Sequence, residues 1–218
     1  SSMAKTSETE AAGSNTASSA ITARELFEDQ TGDQRLVMAY VGVPGDASYI
    51  EGSIHLPLDK VFREDNSLKS PAEIAALFGA AGITESDPLV IYGDFFVNGY
   101  DTFAFWVMKY LGHEDVVLLE GTKGSREAAG LKFVANPSPK AAETYTPSPN
   151  LDVFATADQL ASSQVVDARG SDDYDVWHPD GAVNIDCLNV MGTNGLASAQ
   201  ALDLAFRDLD LDLPVVVY

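Results

Sequence analysis

The stretch QVVDARGSDDYDVWHPDGAVNID, residues 164–186, decides the fold of this chain. It opens with the apolar run QVVD, which contains two β-branched valines and predicts a short buried strand. Polar residues follow, and Pro179 and Gly181 among them are typical of a turn. The run GAVNID (181–186) then predicts a second short strand. The stretch therefore predicts two strands joined by a turn, and its neighbours indicate that the same arrangement occurs twice.

The elements around this stretch also occur earlier in the chain, in the same order. Each copy opens with a capping box, in which a threonine and an acidic or amide residue three positions later start a short helix. The boxes consist of Thr22 with Glu25 and of Thr156 with Gln159. Each copy continues with an apolar strand, a tyrosine-led turn, a helix and a proline-led strand. The last strands are PLVIY (88–92) and PVVVY (214–218), and both are predicted to be buried. Five elements in one order predict two copies of one α/β unit.

The first copy continues beyond its proline-led strand. A loop with two glycines, GDFFVNGYD (93–101), leads to a helix with an apolar face and then to the strand DVVLLEG (115–121). This alternation predicts parallel strands, helices on both faces of each sheet, and a site at the carboxyl ends of the strands. We expect the second copy to lack the corresponding loop, a crossover helix and at least one strand.

These patterns divide the chain into four ranges. Residues 1–20 are small and polar, have no apolar signal-peptide core, and predict a flexible leader or tag. A leader that follows a removed signal or lipid anchor is also consistent, so cytoplasmic and exported locations both stay open. The two copies occupy residues 21–135 and 151–218. Between them lies NPSPKAAETYTPSPN (136–150), whose four prolines predict an extended, semi-rigid linker.

Composition excludes several classes of function. The 218 residues carry a net charge of −20, which argues against binding to nucleic acids or to anionic membrane surfaces. This charge fits either a solubility surface or adaptation to high salt. No apolar stretch approaches the ~20 residues of a membrane-spanning helix. The single cysteine, Cys187, allows no internal disulfide, and neither metal-ligand spacing nor a nucleotide-binding motif occurs, so we predict no cofactor.

Residues 164–186 resemble the signature of the rhodanese domain, in which a strand ending in Asp-x-Arg leads to a tyrosine and a His-x-Pro-Gly-Ala-like turn. The matching residues are Asp167, Arg169, Tyr174, His178, Gly181 and Ala182. KYLGHEDVVLLEG (109–121) resembles the segment that follows the active-site helix in the same family. Two copies and a linker resemble tandem-domain sulfurtransferases. The resemblance implies an α/β fold with two rhodanese-like domains, each a parallel sheet with helices on both faces, the second incomplete.

The resemblance also implies where the nucleophile belongs. In that family a cysteine follows the proline-led strand and opens a loop whose backbone amides and helix start stabilise a thiolate. The first copy has Gly93 there, with Met38 and Tyr40 where the family has its Asp and Arg, so we expect residues 21–135 to be catalytically inert. In the second copy the cysteine is expected just after Tyr218. A truncated chain, a split or nicked chain, and a chemically modified next residue are the explanations that we consider for this end.

Asp167 and Arg169 are the candidate site residues. They alternate along one strand and are expected on one face, with Arg169 helping to bind an anion and Asp167 orienting it or the loop. A purely structural ion pair is the alternative. Mercaptopyruvate-type relatives have a second arginine where this chain has Asp173, which favours thiosulfate or another persulfide donor. We interpret His178 as a turn histidine bound to backbone and Cys187 as a structural thiol; a catalytic base and a nucleophile are the respective alternatives.

The predicted function is sulfur transfer. Sulfane sulfur from thiosulfate or a similar donor would pass through a cysteine persulfide to a thiol or cyanide acceptor, with no nucleic acid and no membrane insertion involved. We expect a locally positive pocket inside an acidic shell. A catalytically dead scaffold or regulatory pair is the first alternative. A phosphatase or arsenate reductase is the second, because these enzymes share the fold but need a longer Cys-x5-Arg loop.

Overall fold

The computed structural model describes residues 20–29, 36–42, 48–93, 99–193, 195–210 and 212–218. Nearly all of the predicted leader, most of the segment 42–48, and the loop 94–98 after the first proline-led strand lie outside the described residues.

Ten strands and six α-helices form in the described part of the chain. The strands are β1 (Ala20–Ile21), β2 (Val37–Tyr40), β3 (Tyr49–Ile50), β4 (Ile54–His55), β5 (Leu89–Tyr92), β6 (Val116–Leu119), β7 (Phe133–Val134), β8 (Gln164–Asp167), β9 (Val183–Asn184) and β10 (Val215–Val217). The helices are α1 (Ala23–Asp29), α2 (Pro71–Ala80), α3 (Tyr100–Tyr110), α4 (Lys123–Ala128), α5 (Ser171–Val176) and α6 (Ala199–Phe206). Short 3-10 helices span Leu58–Lys60, Leu151–Val153, Ala157–Ser162 and Cys187–Val190.

The first copy is built on a five-stranded parallel sheet in the order β1-β6-β5-β2-β4. Its central strand β5 is buried along its whole length because apolar side chains cover both faces. Ile74 and Phe78 of α2 and Val107 of α3 belong to one buried cluster. Leu26 of α1 belongs to a second cluster, together with Leu131. The predicted parallel sheet with helices on both faces is confirmed for this copy.

The second copy is a three-stranded parallel sheet in the order β10-β8-β9. The prediction that its proline-led strand is buried is wrong for this structure. In β10, Val215 is 40% exposed and Val217 is 62% exposed. The physical reason is that β10 pairs only with β8 within the described residues, whereas its counterpart β5 lies between β2 and β6.

Strand register corrects one alignment between the two copies. Tyr40 is paired with Tyr92 on one side and with His55 on the other. In the second sheet Val166 pairs with Val217 and Asp167 pairs with Asn184. Tyr40 is therefore the counterpart of Asp167, and Gly42, two residues on, is the counterpart of Arg169. The assignment of Met38 and Tyr40 to these two positions is wrong by two residues.

Both predicted capping boxes form, and Ser70 with Glu73 makes a further one. The backbone amides of Thr22, Ser70 and Thr156 donate to the side chains of Glu25, Glu73 and Gln159 over 2.7, 2.8 and 2.7 Å. The boxes at Thr22 and Ser70 start α-helices, and Pro71 takes the first position of α2. The third starts the 3-10 helix Ala157–Ser162.

Residues 136–150 are extended, as predicted, and are packed along the first copy; we call this segment the strap. Backbone amides of Ser138, Glu143, Ser148 and Asn150 donate to carbonyls of the first copy over 2.7–2.9 Å. Tyr145 is only 6% exposed and belongs to the main apolar cluster. Its hydroxyl lies 2.9 Å from Nδ1 of the buried His113, whose Nε2 lies 2.8 Å from the Asp87 carbonyl oxygen. The linker therefore acts as part of the first copy's core.

Close backbone approach holds the strap in place. Gly112 follows α3 with φ = +80°, and a Cβ built there would lie 1.9 Å from the Ser148 carbonyl oxygen. A Cβ on Gly79 would lie 2.6 Å from the Glu143 carbonyl oxygen. Glycine is required at these positions because the strap passes directly over them.

Within the described residues, no helix combines the length and the apolar composition that crossing a bilayer requires.

Candidate functional site

The structure brings Asp167 and Arg169 together at the carboxyl end of β8. Asp167 is fully buried, whereas the Arg169 side chain is 38% exposed. Arg169 Nε donates to Asp167 Oδ1 over 3.0 Å, and Nη2 donates to Oδ2 over 2.6 Å. The Arg169 backbone amide also donates to Oδ1 over 2.9 Å. The predicted pair is thus a two-pronged ion pair, which fixes the plane of the guanidinium.

Tyr218 is a third member of this site that sequence reasoning missed. Its hydroxyl donates to Asp167 Oδ2 over 2.6 Å. The Arg169 guanidinium carbon lies 5.4 Å from the centre of the Tyr218 ring, which is within the range of a cation–π contact. Parallel pairing places Tyr218 beside Asp167, since the Tyr218 amide donates to the Val166 carbonyl and the Ala168 amide donates to the Tyr218 carbonyl. An alignment of β10 with β8 could have found the contact, but no local motif marks it.

The site is braced from the β9 side. Asn184 Nδ2 donates to the Asp167 and Arg169 carbonyl oxygens over 3.0 and 2.8 Å. Arg169 Nη2 also donates to the Trp177 carbonyl oxygen over 2.6 Å, in the turn after α5. Arg169 therefore links the end of β8 to the turn after α5, which is part of the rhodanese-like motif.

Electrostatics keep all three side chains in defined protonation states. The hydrogen bonds from Arg169 hold the pKa of Asp167 well below its usual 3.8 despite burial, and the Tyr218 hydroxyl lowers it further. The Asp167 carboxylate raises the pKa of Arg169 above its usual value. Burial raises the pKa of Tyr218, and the Asp167 carboxylate adds to that rise. At neutral pH the site holds a carboxylate, a guanidinium and a protonated phenol that donates.

Arg169 is a rare cation in this half of the sequence. No lysine or arginine occurs between Lys140 and Arg169 or between Arg169 and Arg207. The expected locally positive pocket stays a prediction, since its other contributors would be amides that follow Tyr218.

The turn residues form their own bonded unit. The Tyr174 ring stacks on His178 with centroids 3.8 Å apart, and the Tyr174 hydroxyl donates to the Ala182 carbonyl oxygen over 2.8 Å. His178 Nδ1 lies 2.8 Å from the Tyr174 carbonyl oxygen. These contacts fit the interpretation of His178 as a turn histidine bound to backbone. Asp173 lies exposed on α5, and its amide closes the first turn of that helix by donating to the Gly170 carbonyl.

Cys187 is exposed and starts a 3-10 helix beside the site. Its amide donates to the Ala168 carbonyl oxygen over 2.9 Å, but no hydrogen bond joins its thiol to Arg169. Among the residues that the structure describes, no three His, Cys, Asp or Glu side chains are grouped to hold a metal ion.

The corresponding edge of the first copy is filled by aromatic rings. Tyr92, the counterpart of Tyr218, accepts from the Ile50 amide over 2.8 Å and lies 2.5 Å from Ser53 Oγ. The rings of Tyr40 and Tyr92 have centroids 5.4 Å apart. His55 Nε2 lies 3.2 Å from the Gly42 carbonyl oxygen.

A buried arginine closes this edge of the first copy further. Arg126 is 2% exposed and donates to the carbonyl oxygens of Gly93, Leu119 and Glu120 over 2.7–3.2 Å. It therefore satisfies carbonyls at the ends of β5 and β6, and its donors are directed at backbone rather than at open solvent.

Comparison with solved structures identifies the architecture. The 3-mercaptopyruvate sulfotransferase SseA of Escherichia coli, described as having the rhodanese fold, matches with a TM-score of 0.79 at 17% identity, over 92% of this chain and 88% of that one. This chain has the rhodanese fold. The Tum1 protein of Saccharomyces cerevisiae aligns with a TM-score of 0.74 at 15% identity, over 90% of this chain and 82% of that one.

Curated relatives that match in sequence are also named as sulfurtransferases. A protein of Saccharopolyspora erythraea named "Putative thiosulfate sulfurtransferase" is 29% identical over 103 residues, which are 45% of this rhodanese-fold chain and 36% of the relative. One of the same name from Mycolicibacterium smegmatis is 26% identical over 138 residues, or 59% of this chain and 49% of the relative. The matches thus span between a third and a half of these relatives. No family model matches the chain.

Proposed function

We propose that this chain is the part of a rhodanese-type sulfurtransferase that holds the anion-binding arginine and the strand leading to the nucleophile. The observation that carries the proposal is the joining of Asp167, Arg169 and Tyr218 at the carboxyl ends of two adjacent parallel strands. This is the edge of a parallel sheet where ligands of open α/β folds bind. The curated relatives named as thiosulfate sulfurtransferases support the same function.

In this proposal Arg169 binds the negative oxygens of the donor. Its hydrogen bonds to Asp167 and to the Trp177 carbonyl oxygen use Nε, Nη2 and the backbone amide, and the proposal assigns the remaining nitrogen, Nη1, to the ligand. Asp167 keeps the guanidinium plane fixed, and the guanidinium stays charged at any pH at which the protein is folded. A fixed planar donor favours an anion with oxygens arranged around a central atom, such as thiosulfate.

The nucleophile is proposed to be a cysteine thiolate directly after Tyr218. The thiolate attacks the outer sulfur of thiosulfate, the new S–S bond forms, and sulfite leaves with the electrons of the bond that breaks. Cyanide or an acceptor thiolate then attacks the outer sulfur of the persulfide, and the cysteine thiolate is released. Asp173, on the exposed face of α5, adds negative charge where a carboxylate-bearing donor would need a cation, which supports thiosulfate over mercaptopyruvate.

The two copies are proposed to have different roles. Residues 151–218 belong to the catalytic domain, whereas residues 21–135 are inert, because the first copy has Gly93 at the cysteine position and aromatic rings at the edge of its sheet. The strap, residues 136–150, joins them. A scaffold or regulatory pair without activity is the second candidate, and the filled edge of the first copy is the observation that favours it.

The test of the proposed function uses the polypeptide that carries this sequence together with the residues that follow Tyr218. We expect thiocyanate to form from thiosulfate and cyanide, and the intact protein to gain the mass of one sulfur atom after thiosulfate alone. A cysteine that stays unmodified, together with no cyanide-dependent thiocyanate, would overturn the enzyme proposal in favour of the scaffold.

A matched pair of variants localises the activity. Arg169→Gln and Arg207→Gln each remove one positive charge from the second copy, but Arg207 is exposed, and its ion pair within the described residues is with Asp208 at 3.5 Å. We expect Arg169→Gln to lower kcat/KM for thiosulfate by roughly 10- to 100-fold, as for loss of a charge-assisted hydrogen bond. Arg207→Gln should match the parent. Equal losses in both variants would mean that net charge, rather than Arg169, governs donor capture.

A further inference from the structure

The Asp167 carboxylate has a complete set of hydrogen bonds, and Tyr218 supplies one of them. Oδ1 accepts from the Arg169 amide and from Arg169 Nε, while Oδ2 accepts from Arg169 Nη2 and from the Tyr218 hydroxyl. Three of the four donors therefore belong to Arg169 itself. Tyr218 is the one donor that reaches this carboxylate from another strand.

That one contact constrains the rotation of the carboxylate. The terminal torsion of an aspartate is broad and roughly two-fold, so the torsion alone sets the carboxylate plane weakly. Two of the Arg169 donors lie on a side chain that is 38% exposed and has several rotatable bonds, so they constrain the carboxylate plane less than the Arg169 backbone amide does. The Tyr218 ring is anchored through the backbone bonds between β10 and β8, and it supplies a fixed point.

In the first copy, the hydroxyl of the tyrosine at the strand position equivalent to Tyr218 binds different partners. Tyr92 is 1% exposed, and its hydroxyl is directed to the Ile50 amide and Ser53 rather than to a side chain at the end of the neighbouring strand. The neighbouring strand there ends on Tyr40 instead of an aspartate. The Tyr218–Asp167 bond is thus a feature of the second copy and not of the repeated fold.

We propose that Tyr218 is a positioning residue for sulfur transfer. Its hydroxyl holds Asp167 in the orientation that fixes Arg169, with Nη1 presented to the anionic donor. The inference rests on the proposed function, in which the nucleophile directly follows Tyr218. Tyr218 would then hold Arg169 next to the end of the strand that carries the thiolate. The donor's oxygens would bind Arg169 while its outer sulfur faces the thiolate.

The experiment compares Tyr218→Phe with Tyr92→Phe in the 218-residue chain. Each change removes one phenolic oxygen and keeps the ring, and the two tyrosines occupy equivalent strand positions. The first readout is the NMR signal of Arg169 Nε–H, assigned by its loss in Arg169→Gln. We expect Tyr218→Phe to shift this signal and to speed its exchange with water at least severalfold, while Tyr92→Phe leaves it unchanged. Backbone amide spectra establish that each variant is folded.

The second readout is the dissociation constant for thiosulfate, measured by titration calorimetry on the same variants made in the longer polypeptide that continues past Tyr218. We expect roughly a five- to tenfold weaker affinity in Tyr218→Phe, the loss typical of one hydrogen bond to a charged group, and parent affinity in Tyr92→Phe. An unchanged Arg169 signal in Tyr218→Phe overturns the positioning role whatever the affinity, and so does an unchanged dissociation constant in a chain that binds thiosulfate. If the parent chain shows no thiosulfate binding, the proposed function loses support, and the Arg169 signal still decides whether Tyr218 positions the arginine.

Discussion

A Cβ placed on Gly42 would lie 2.3 Å from the hydroxyl oxygen of Tyr40. The tyrosine side chain therefore occupies the space that any side chain at residue 42 would need. In the second copy the equivalent residues are Arg169 and Asp167, which form an ion pair instead. One repeated fold thus presents two different strand ends: one is closed by an aromatic side chain, and the other holds a half-exposed cation.

Because the strap packs over Gly112 but not over Gly52, we expect alanine to destabilise the fold more at residue 112 than at residue 52. Gly112 and Gly52 both have positive φ, +80° and +86°, but a Cβ on Gly112 would meet the Ser148 carbonyl oxygen at 1.9 Å, whereas a Cβ on Gly52 has nothing within 4 Å. Each alanine costs about 1–2 kcal/mol for the left-handed backbone. Gly112→Ala must also displace the strap, so we expect it to lower the free energy of unfolding by about 2–4 kcal/mol.

Urea unfolding of the parent and the two variants measures this difference. Gly52→Ala is the control for backbone strain alone. Equal losses in Gly112→Ala and Gly52→Ala would show that the strap contributes no stability at that point.

His113 should make stability depend on pH. Burial lowers the pKa of His113 from its usual 6.5. As the pH falls below about 6.5, the unfolded chain binds a proton there that the folded chain does not, so stability present at neutral pH is lost on acidification. We expect the urea midpoint of the parent to fall more steeply between about pH 7 and pH 5 than that of His113→Gln, which has no such proton to bind. Parallel curves for the two proteins would contradict this role.

Asp167 should also make stability depend on pH, at lower pH values than His113 does. Its folded pKa lies below the usual 3.8, chiefly because Arg169 donates to it, so its contribution to stability is present above about pH 4 and is lost as the pH falls further. We expect Asp167→Asn to lower the thermal midpoint at neutral pH and to differ less from the parent near pH 3. Asp173→Asn, an exposed substitution on α5, is the control and should follow the parent at both values. A gap for Asp167→Asn that stays constant with pH would argue against the ion pair.

In the 218-residue chain, the exposed strand β10 should bind hydrophobic dyes. A cavity of about 640 Å³ lies between α3, the residues after the strap and β10, and Trp106, Phe154 and Val217 line it. We expect Val217→Thr, an isosteric change at a side chain that is 62% exposed, to reduce dye fluorescence and to alter the unfolding free energy by less than about 0.5 kcal/mol. Val183→Thr on β9, 42% exposed and away from that cavity, should leave the fluorescence unchanged. Equal effects of both variants would mean that the dye binds elsewhere.

Local sequence signals predicted the repeat, the helix starts and the Asp167–Arg169 pair. Capping boxes such as Thr22 with Glu25 are readable because both partners lie within one turn of chain. The pair was readable because its two residues are separated by a single position. Each of these features depends on residues that are close together in the sequence, and a sequence pattern records such local relationships.

Features that depend on distant contacts were not predicted. The register that aligns Tyr40 with Asp167 is set by pairing with β4 and β5, and a strand pattern of period two does not reveal a slip of two residues. The role of Tyr218 depends on β10 lying beside β8, 51 residues away along the chain. The prolines of the strap indicate an extended backbone, but nothing in ETYTP indicates that Tyr145 enters the core of the first copy.

The packing of residues 136–150 changes where the protein can be divided for study. A fragment that stops at 135 would lose Tyr145 from its core and would leave the carbonyl oxygens of Gly79, Tyr110 and Leu111 without their strap donors. A fragment that extends to Asn150 keeps all of these contacts. The fifteen residues of the strap therefore belong to the structural unit of the first copy, although their sequence resembles a linker. A chimaera that replaces the second copy should have its junction at Leu151.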